Sequence, residues 1–357
     1  MRVATGGRSL RLRFANPHGY SPLRFAHVTV ARASDTPAGV LEPVHTVLVN
    51  GEGHIEVHPG CTVTSDPVPL ALADLSTVVV SFFCIEPTEV SGHDWANRAA
   101  WATLPAIGDL TTEPSGSAFR PFGTSWLWVD EVDVTGADAA GAVVVLGDSI
   151  TDGAGSPFGT DTRWTDVLAE RFLALPSGDD RRRSVANAGI GGNTVGGCGT
   201  PLYGVNALAR LDRDVLSLAN VREVVVCLGT NDISAGTGYE RVVRDLIYLA
   251  TRIHAAGLRV FVATIAPRVG GYLWTAGCEE QRLLANGWIR NQAVFDAVLD
   301  FDQALNDPEV PGRIRPDLNT DGTHPNSVGF AAMAEGIDLD LFAPGVPGLV
   351  GGASSAP

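Results

Sequence analysis

Charge is scarce in this chain. Asp, Glu, Lys and Arg make up 18% of its 357 residues, and the formal charge is −15 at pH 7. A sequence pI near 4.9 leaves no basic excess to neutralise phosphates, which argues against nucleic acid and anionic membrane surfaces as partners. No apolar run is long enough to span a bilayer, and none has the charged-then-apolar layout of a secretory leader. Membrane insertion is therefore not expected, and the compartment stays open. Met1 runs at once into Arg2-Val3-Ala4-Thr5-Gly6-Gly7, which reads as the end of a strand already under way. Either earlier residues were trimmed or the domain starts late.

Metal and nucleotide signatures are also missing. The five cysteines form no C-x-x-C pair, so a zinc site of that kind is not expected. At least one must stay unpaired if all bridges are internal. Cys227, inside Val224-Val225-Val226-Cys227-Leu228, reads as a buried inert thiol. Cys198 and Cys278 fall in Gly-rich stretches and offer one candidate bridge, Cys61 and Cys84 flank strand-like runs, and the sequence leaves the disulfide state of all four open. Gly189-Ile190-Gly191-Gly192 lacks both the Lys-Ser/Thr of a P-loop and the full dinucleotide spacing, which excludes a nucleotide site. His54, Glu56 and His58 alternate with Ile55 and Val57, the pattern of an exposed polar strand face rather than a metal site. Arg181-Arg182-Arg183 follows acidic residues and reads as a solvated loop.

Apolar material, by contrast, is ample at 45%, and the length favours two cores over one. Residues 1–138 read as all-β. Leu10, Leu12 and Phe14 alternate with arginines, Val28–Val30 and Thr46–Val49 continue the pattern, and Thr77–Phe83 is the most apolar run. Short strands between Pro/Gly turns suggest a sandwich or jelly-roll-like domain. Trp95 and Trp101 would pack a long loop or the junction. Trp126, Trp128 and Val129/Val132/Val134 would close the β region.

From 139 to 343 the pattern alternates between strands and helices. Val143–Leu146 is a strand buried on both faces. Trp164, Val167, Leu168, Phe172 and Leu175 form one helical stripe, Leu208, Leu211, Val215 and Leu218 a second, and Val242–Ile253 a third that stops at Gly257. Val221–Leu228, Val260–Ile265 and Val298–Phe301 add strands, and a last helix is expected from Ser327 to about Leu341. This predicts an α/β domain of three layers with a mainly parallel sheet. Residues 344–357 read as a flexible tail.

Four polar stretches follow strands on one edge of that sheet. They are Gly147-Asp148-Ser149-Ile150, Asn187–Asn193, Gly229-Thr230-Asn231-Asp232, and Asp321-Gly322-Thr323-His324. Together they offer a hydroxyl, a glycine turn with N–H groups, a carboxamide, and an Asp three residues before a His. Those are the parts needed for acyl transfer through a tetrahedral intermediate. In these four blocks, in order and spacing, residues 142–342 resemble the SGNH (GDSL) hydrolases. The β-rich N-terminal region is similar, more loosely, to one attached to some bacterial members.

The resemblance implies Ser149 as nucleophile, His324 as general base and then acid, and Asp321 as the group that orients the imidazole. The N–H groups of Ser149 and Gly192 and the Asn231 side chain would form the oxyanion hole, with Gly192 preferred over Gly191 by family spacing. The turn lacks the second glycine of G-x-S-x-G, so this is not the α/β-hydrolase elbow. Asp148 and Asp152 read as turn or hydrogen-bonding residues. No metal or organic cofactor is required.

Gly191, Tyr203, Tyr272 and Trp274 lie in stretches expected at the site edge, where the aromatics would either face a sugar or aryl group or pack their loops. By analogy with the family, the substrate is a short-chain ester, above all an acetylated glycan. The alternatives are a broad aryl/alkyl-esterase, a thioesterase or lysophospholipase, and, outside enzymes, a glycan-binding protein with a decayed site.

Overall fold

The computed structural model describes residues 1–86, 88–89, 92–93, 99–104, 107–197 and 203–345. Trp95, Cys198 and most of the C-terminal tail lie outside them. The chain divides into two compact units, Met1–Asp138 and Ala139–Pro357.

The first unit holds β1 (Ser9–Ala15), β2 (Leu23–Phe25), β3 (His27–Ala33), β4 (Val40–Thr46), β5 (Ile55–Val57), β6 (Thr62–Thr64), β7 (Val78–Phe83), β8 (Gly92–His93), β9 (Ala100–Ala102), β10 (Arg120–Gly123), β11 (Trp126–Leu127) and β12 (Val129–Thr135). Two antiparallel three-stranded sheets, β12-β1-β6 and β4-β3-β7, are accompanied by the pairs β2-β5, β9-β10 and β8-β11. Leu10, Leu12 and Phe14 from β1 meet Phe25, Val28, Val30 and Val78 in one core. Phe25, Phe82 and Trp128 stack there with ring centroids 5.1–5.2 Å apart. Ile55 and Val57 are buried while Glu56 pairs with Arg24. The strand expected at Thr46–Val49 ends at Thr46, because Val49 turns to bridge Glu52. Trp101 sits half-buried in β9.

The second unit is a three-layer α/β domain with a parallel sheet. Its elements are β13 (Ala142–Gly147), α1 (Ser149–Asp152), α2 (Trp164–Leu173), β14 (Ser184–Gly189), α3 (Ala207–Leu211), β15 (Val221–Cys227), α4 (Thr230–Ser234), α5 (Tyr239–Ala255), β16 (Arg259–Ala263), α6 (Ala276–Asn291), β17 (Ala297–Leu299), α7 (Phe301–Leu305) and α8 (Ser327–Glu335). The sheet order is β14-β13-β15-β16-β17, and every pairing is parallel. β13 is apolar throughout because each face meets a different core. Val143 and Val145 pack with Trp164, Phe172, Phe261 and Phe330, whereas Val144 and Leu146 pack with Leu211, Leu246, Leu249 and Ile289. Strand order reverses about β13, so a crevice is expected beyond the carboxyl ends of β13 and its neighbours.

Several expectations need correction. α6 occupies residues read as loop or left unassigned, and Cys278 lies in its first turn, where Thr275 caps the Cys278 N–H. Cys278 is a free thiol rather than half of a bridge to Cys198, and Cys61, Cys84 and Cys227 are free as well. The last helix stops at Glu335, and Asp338 caps a separate 3₁₀ turn over Leu339–Phe342. Phe301 opens α7 instead of closing β17. The arginine run is no solvated loop. Arg182 and Arg183 are buried, the first donating to the Leu173 and Leu175 carbonyls, the second paired with Glu223 at 2.7 Å. Apolar surroundings are compatible with arginine where the guanidinium finds a carboxylate or carbonyls.

Candidate active site

The crevice is built from the turns that follow β13, β14 and β15 and from the loop before α8. Gly147 ends β13 so tightly against Thr151 that a Cβ would lie 2.1 Å from its hydroxyl. Asp148 caps the single turn of α1, its carboxylate accepting the Ile150 N–H at 3.0 Å. Ser149 is thereby the first helical residue, and its own N–H is among the donors that a helix start leaves without an intrahelical acceptor.

Ser149 Oγ lies 2.8 Å from His324 Nε2, and His324 Nδ1 lies 2.8 Å from Asp321 Oδ2. The other carboxylate oxygen of Asp321 accepts the Thr323 and His324 N–H groups at 2.9 and 2.8 Å. Burial pushes the Asp321 carboxyl up, but these hydrogen bonds outweigh it and hold the group below its ordinary value. An ionised Asp321 can only accept, so Nδ1 carries the proton and Nε2 turns a lone pair to the serine hydroxyl.

The turn after β14 approaches α1 from the side. A Cβ on Gly189 would meet the Asp152 nitrogen at 2.3 Å, and the Asp152 carboxylate accepts the Gly191 N–H at 3.2 Å. Asn187 donates to the Thr151 carbonyl and the Thr165 hydroxyl. Gly192 has φ +72°, a conformation that favours glycine, and the Tyr203 ring lies 2.5 Å from where its Cβ would be. The Asn231 amide donates to the Asn193 carbonyl at 2.9 Å, which leaves its second hydrogen for another acceptor. Ser149, His324 and Asp321 are thus joined directly, while the Gly191 turn is tied to α1 through Asp152 and the Asn231 turn to Asn193.

The weaker edge residues behave differently. Tyr203 covers Gly192, and its carbonyl is held by Asn193. Trp274 packs beneath Arg268, whose guanidinium carbon is 5.0 Å from the ring centroid, and donates to Glu279 at 3.1 Å. It therefore supports its loop rather than standing open, whereas Tyr272 is 79% exposed.

Four supporting residues escape a reading of motifs. Arg210, fully buried, donates to the Gly147 and Ala188 carbonyls, to Asn193 Oδ1 and to Asp214, fastening the ends of β13 and β14 to the glycine turn. Asn193 braces Tyr203 and Val205. Asp232 accepts the Val195 N–H at 3.0 Å. Burial raises its carboxyl against the opposing N–H groups of Val195, Gly196 and Gly197. Arg268 donates to Thr230 and Thr323. Helical spacing marks Arg210 only as a residue between Leu208 and Leu211, and the adjacency of Asp232 to Asn231 is the one local signal. Behind the serine, burial pushes the Asp148 carboxyl up to about 7, opposed by the Ile150 N–H and by Arg268 and Arg210. Burial also pushes the Cys227 thiol well above its ordinary value. Among the described residues no group of three His, Cys, Asp or Glu side chains is placed to hold a metal.

The sequence profile of the GDSL-like lipase/acylhydrolase family matches residues 145–332. No curated protein matches the chain. Solved structures similar to it include an aryl esterase from M. smegmatis, 19% identical with a TM-score of 0.45, the match covering 55% of this chain and 95% of that one. Another is a carbohydrate acetylesterase from Sinorhizobium meliloti, 17% identical with a TM-score of 0.43, covering 54% and 94%. A third is a GDSL-like lipase from Bacteroides thetaiotaomicron, 19% identical with a TM-score of 0.41, covering 55% and 85%.

Proposed function

The chain belongs to the GDSL-like lipase/acylhydrolase family, and from that premise we propose that it hydrolyses short-chain carboxylic esters through an acyl-enzyme on Ser149. The observation that carries this reading is the run of two 2.8 Å contacts from Ser149 Oγ through the His324 ring to Asp321. His324 Nε2 takes the hydroxyl proton as Oγ bonds to the substrate carbonyl carbon. The oxyanion so formed is met by the Ser149 and Gly192 N–H groups and the Asn231 amide. Collapse expels the alkoxide, which leaves with the proton from His324. Water, deprotonated by the same imidazole, then releases the acid and restores Ser149.

The preferred substrate is an acetyl group on a carbohydrate. Tyr203 and Tyr272, 40% and 79% exposed, are the aromatic surfaces available to a sugar ring. A broad aryl- or alkyl-esterase would use the same machinery, and the 69% exposure of Leu273 beside Tyr272 is the feature that favours longer or aryl groups.

Initial rates on p-nitrophenyl esters from acetate to decanoate, with Ser149→Ala beside the wild type, test both levels. The expected result is a rate that drops steeply beyond about four acyl carbons and vanishes in the variant. A rate that rises with chain length overturns the acetyl preference. Activity surviving in Ser149→Ala overturns the nucleophile.

A further inference from the structure

We propose that Arg268 is a positioning residue that sets the His324 turn against the Asn231 turn. The argument begins at the sheet. β15 and β16 are neighbours, and the turns beyond their carboxyl ends carry Thr230 and Arg268 respectively. Arg268 Nη1 donates to the Thr230 hydroxyl at 3.2 Å, and Nε donates to the Thr323 hydroxyl at 3.1 Å. Each hydroxyl belongs to the residue immediately before a site residue, Asn231 in one turn and His324 in the other. A single rigid guanidinium therefore spans the carboxamide of the proposed oxyanion hole and the imidazole of the proposed general base.

The surroundings hold that guanidinium in place. Its own turn is closed by the Gly271 N–H donating to the Arg268 carbonyl at 2.9 Å. Gly271 then presses on the acid–base turn, where a Cβ would meet the Gly322 carbonyl at 2.7 Å and the Thr323 hydroxyl at 2.8 Å. Trp274 lies under the cation at 5.0 Å. Both hydrogen-bond acceptors are neutral hydroxyls, and among the described residues no carboxylate pairs with this arginine. Burial pulls the guanidinium below its ordinary value, and the nearby charges of Asp148 and Asp321 oppose that pull. The guanidinium thus lies within electrostatic reach of Asp148 and Asp321 while its hydrogen bonds go to Thr230 and Thr323. Lysine, a compact point charge, cannot reproduce the divergent fork that reaches both hydroxyls.

The inference rests on the ester-hydrolase reading for its kinetic consequence only, so the test carries two readouts. The first is kcat and KM on p-nitrophenyl acetate for Arg268→Gln, Arg268→Lys and the double variant Thr230→Val/Thr323→Val. The second is the downfield proton resonance of His324 Nδ1–H, which reports on the His324–Asp321 bond whether or not the protein hydrolyses esters. Displacing a catalytic group by about 1 Å costs on the order of 10²-fold in rate. The expected result is a loss of kcat of that order in Arg268→Gln with KM within about threefold, only partial rescue by Arg268→Lys, a comparable loss in the double valine variant, and a resonance that broadens or shifts in all three. The valine pair keeps the arginine and decides the matter if Arg268→Gln does not fold. A resonance unchanged in the variants, or a loss confined to KM, overturns the proposal. A wild type that hydrolyses no ester sinks the functional reading instead, and the resonance still decides on Arg268.

Discussion

The Asp152 carboxylate accepts the Gly191 N–H at 3.2 Å. That bond commits the first of two adjacent glycine amides to α1 and leaves the next, that of Gly192, as the donor we propose for the oxyanion. Gly192 also has φ +72° and no room beside the Tyr203 ring. Gly192→Ala keeps the N–H but should push it out of place, lowering kcat on p-nitrophenyl acetate by up to about 10²–10³-fold, the cost of an oxyanion donor moved beyond reach. Adding Tyr203→Ala should relieve the steric clash without restoring the rate, because the positive φ remains strained for alanine. Full recovery in the double variant would assign the defect to the ring alone.

Asn231 is expected to act twice, on the developing oxyanion and on the Asn193 carbonyl it already holds at 2.9 Å. Asn231→Ala should cost about 10²–10³-fold in kcat with a smaller change in KM. Steady-state kinetics on one short ester checks this. An unchanged kcat would remove Asn231 from the oxyanion hole.

Asp321 is expected to keep its charge, and with it the bond to His324, well into acid. The Asp321 carboxyl is held below its ordinary value of 3.8, so the carboxylate bound to His324 persists as pH falls to that value and is lost only as pH falls through the lowered one. Asp321→Asn keeps the size but disfavours the tautomer with a proton on Nδ1. It should drop kcat by about 10³–10⁴-fold at neutral pH. Rates measured from pH 4 to 9 for both proteins provide the comparison.

Asp148 gives stability the opposite dependence. Its carboxyl is raised from 3.8 to about 7 in the folded chain, so the native state holds a proton that the unfolded state has released between those values. That contribution is complete below pH 3.8 and disappears as pH rises through about 7. Asn can keep the cap on Ile150 while removing the titration. Relative to wild type, Asp148→Asn should gain roughly 3 kcal/mol in urea unfolding between pH 5 and pH 8. A constant difference across that range would show that Asp148 does not titrate there.

Arg210→Met should destabilise the chain by about 3–5 kcal/mol, because it strips donors from the Gly147 and Ala188 carbonyls and from Asn193 and removes a cation from Asp214. Denaturant midpoints measure it. A change under about 1 kcal/mol would mean that rearrangement or water replaces the guanidinium.

The sequence by itself determined the β-rich first part, the α/β alternation of the second and the family of the chain. Those properties are local. Unbroken runs such as Val143–Leu146 and Val224–Val226 are apolar on both faces of one strand, helical stripes such as Val242–Ile253 repeat within one element, and each of the four blocks is a few adjacent residues. Tertiary structure alone decided what contacts between distant residues produce. Arg182 and Arg183 look solvated beside acidic neighbours, yet they are buried because Glu223 and the end of α2 lie where the run folds. Cys278 looks like a loop residue until Thr275 caps the helix that contains it. The commitment of the Gly191 N–H needs Asp152, and the reach of Arg268 needs hydroxyls from two turns, 38 and 55 residues away along the chain. Hydrogen-bond partners of buried polar groups are chosen by the topology of the sheet, and no local pattern of residues encodes that choice.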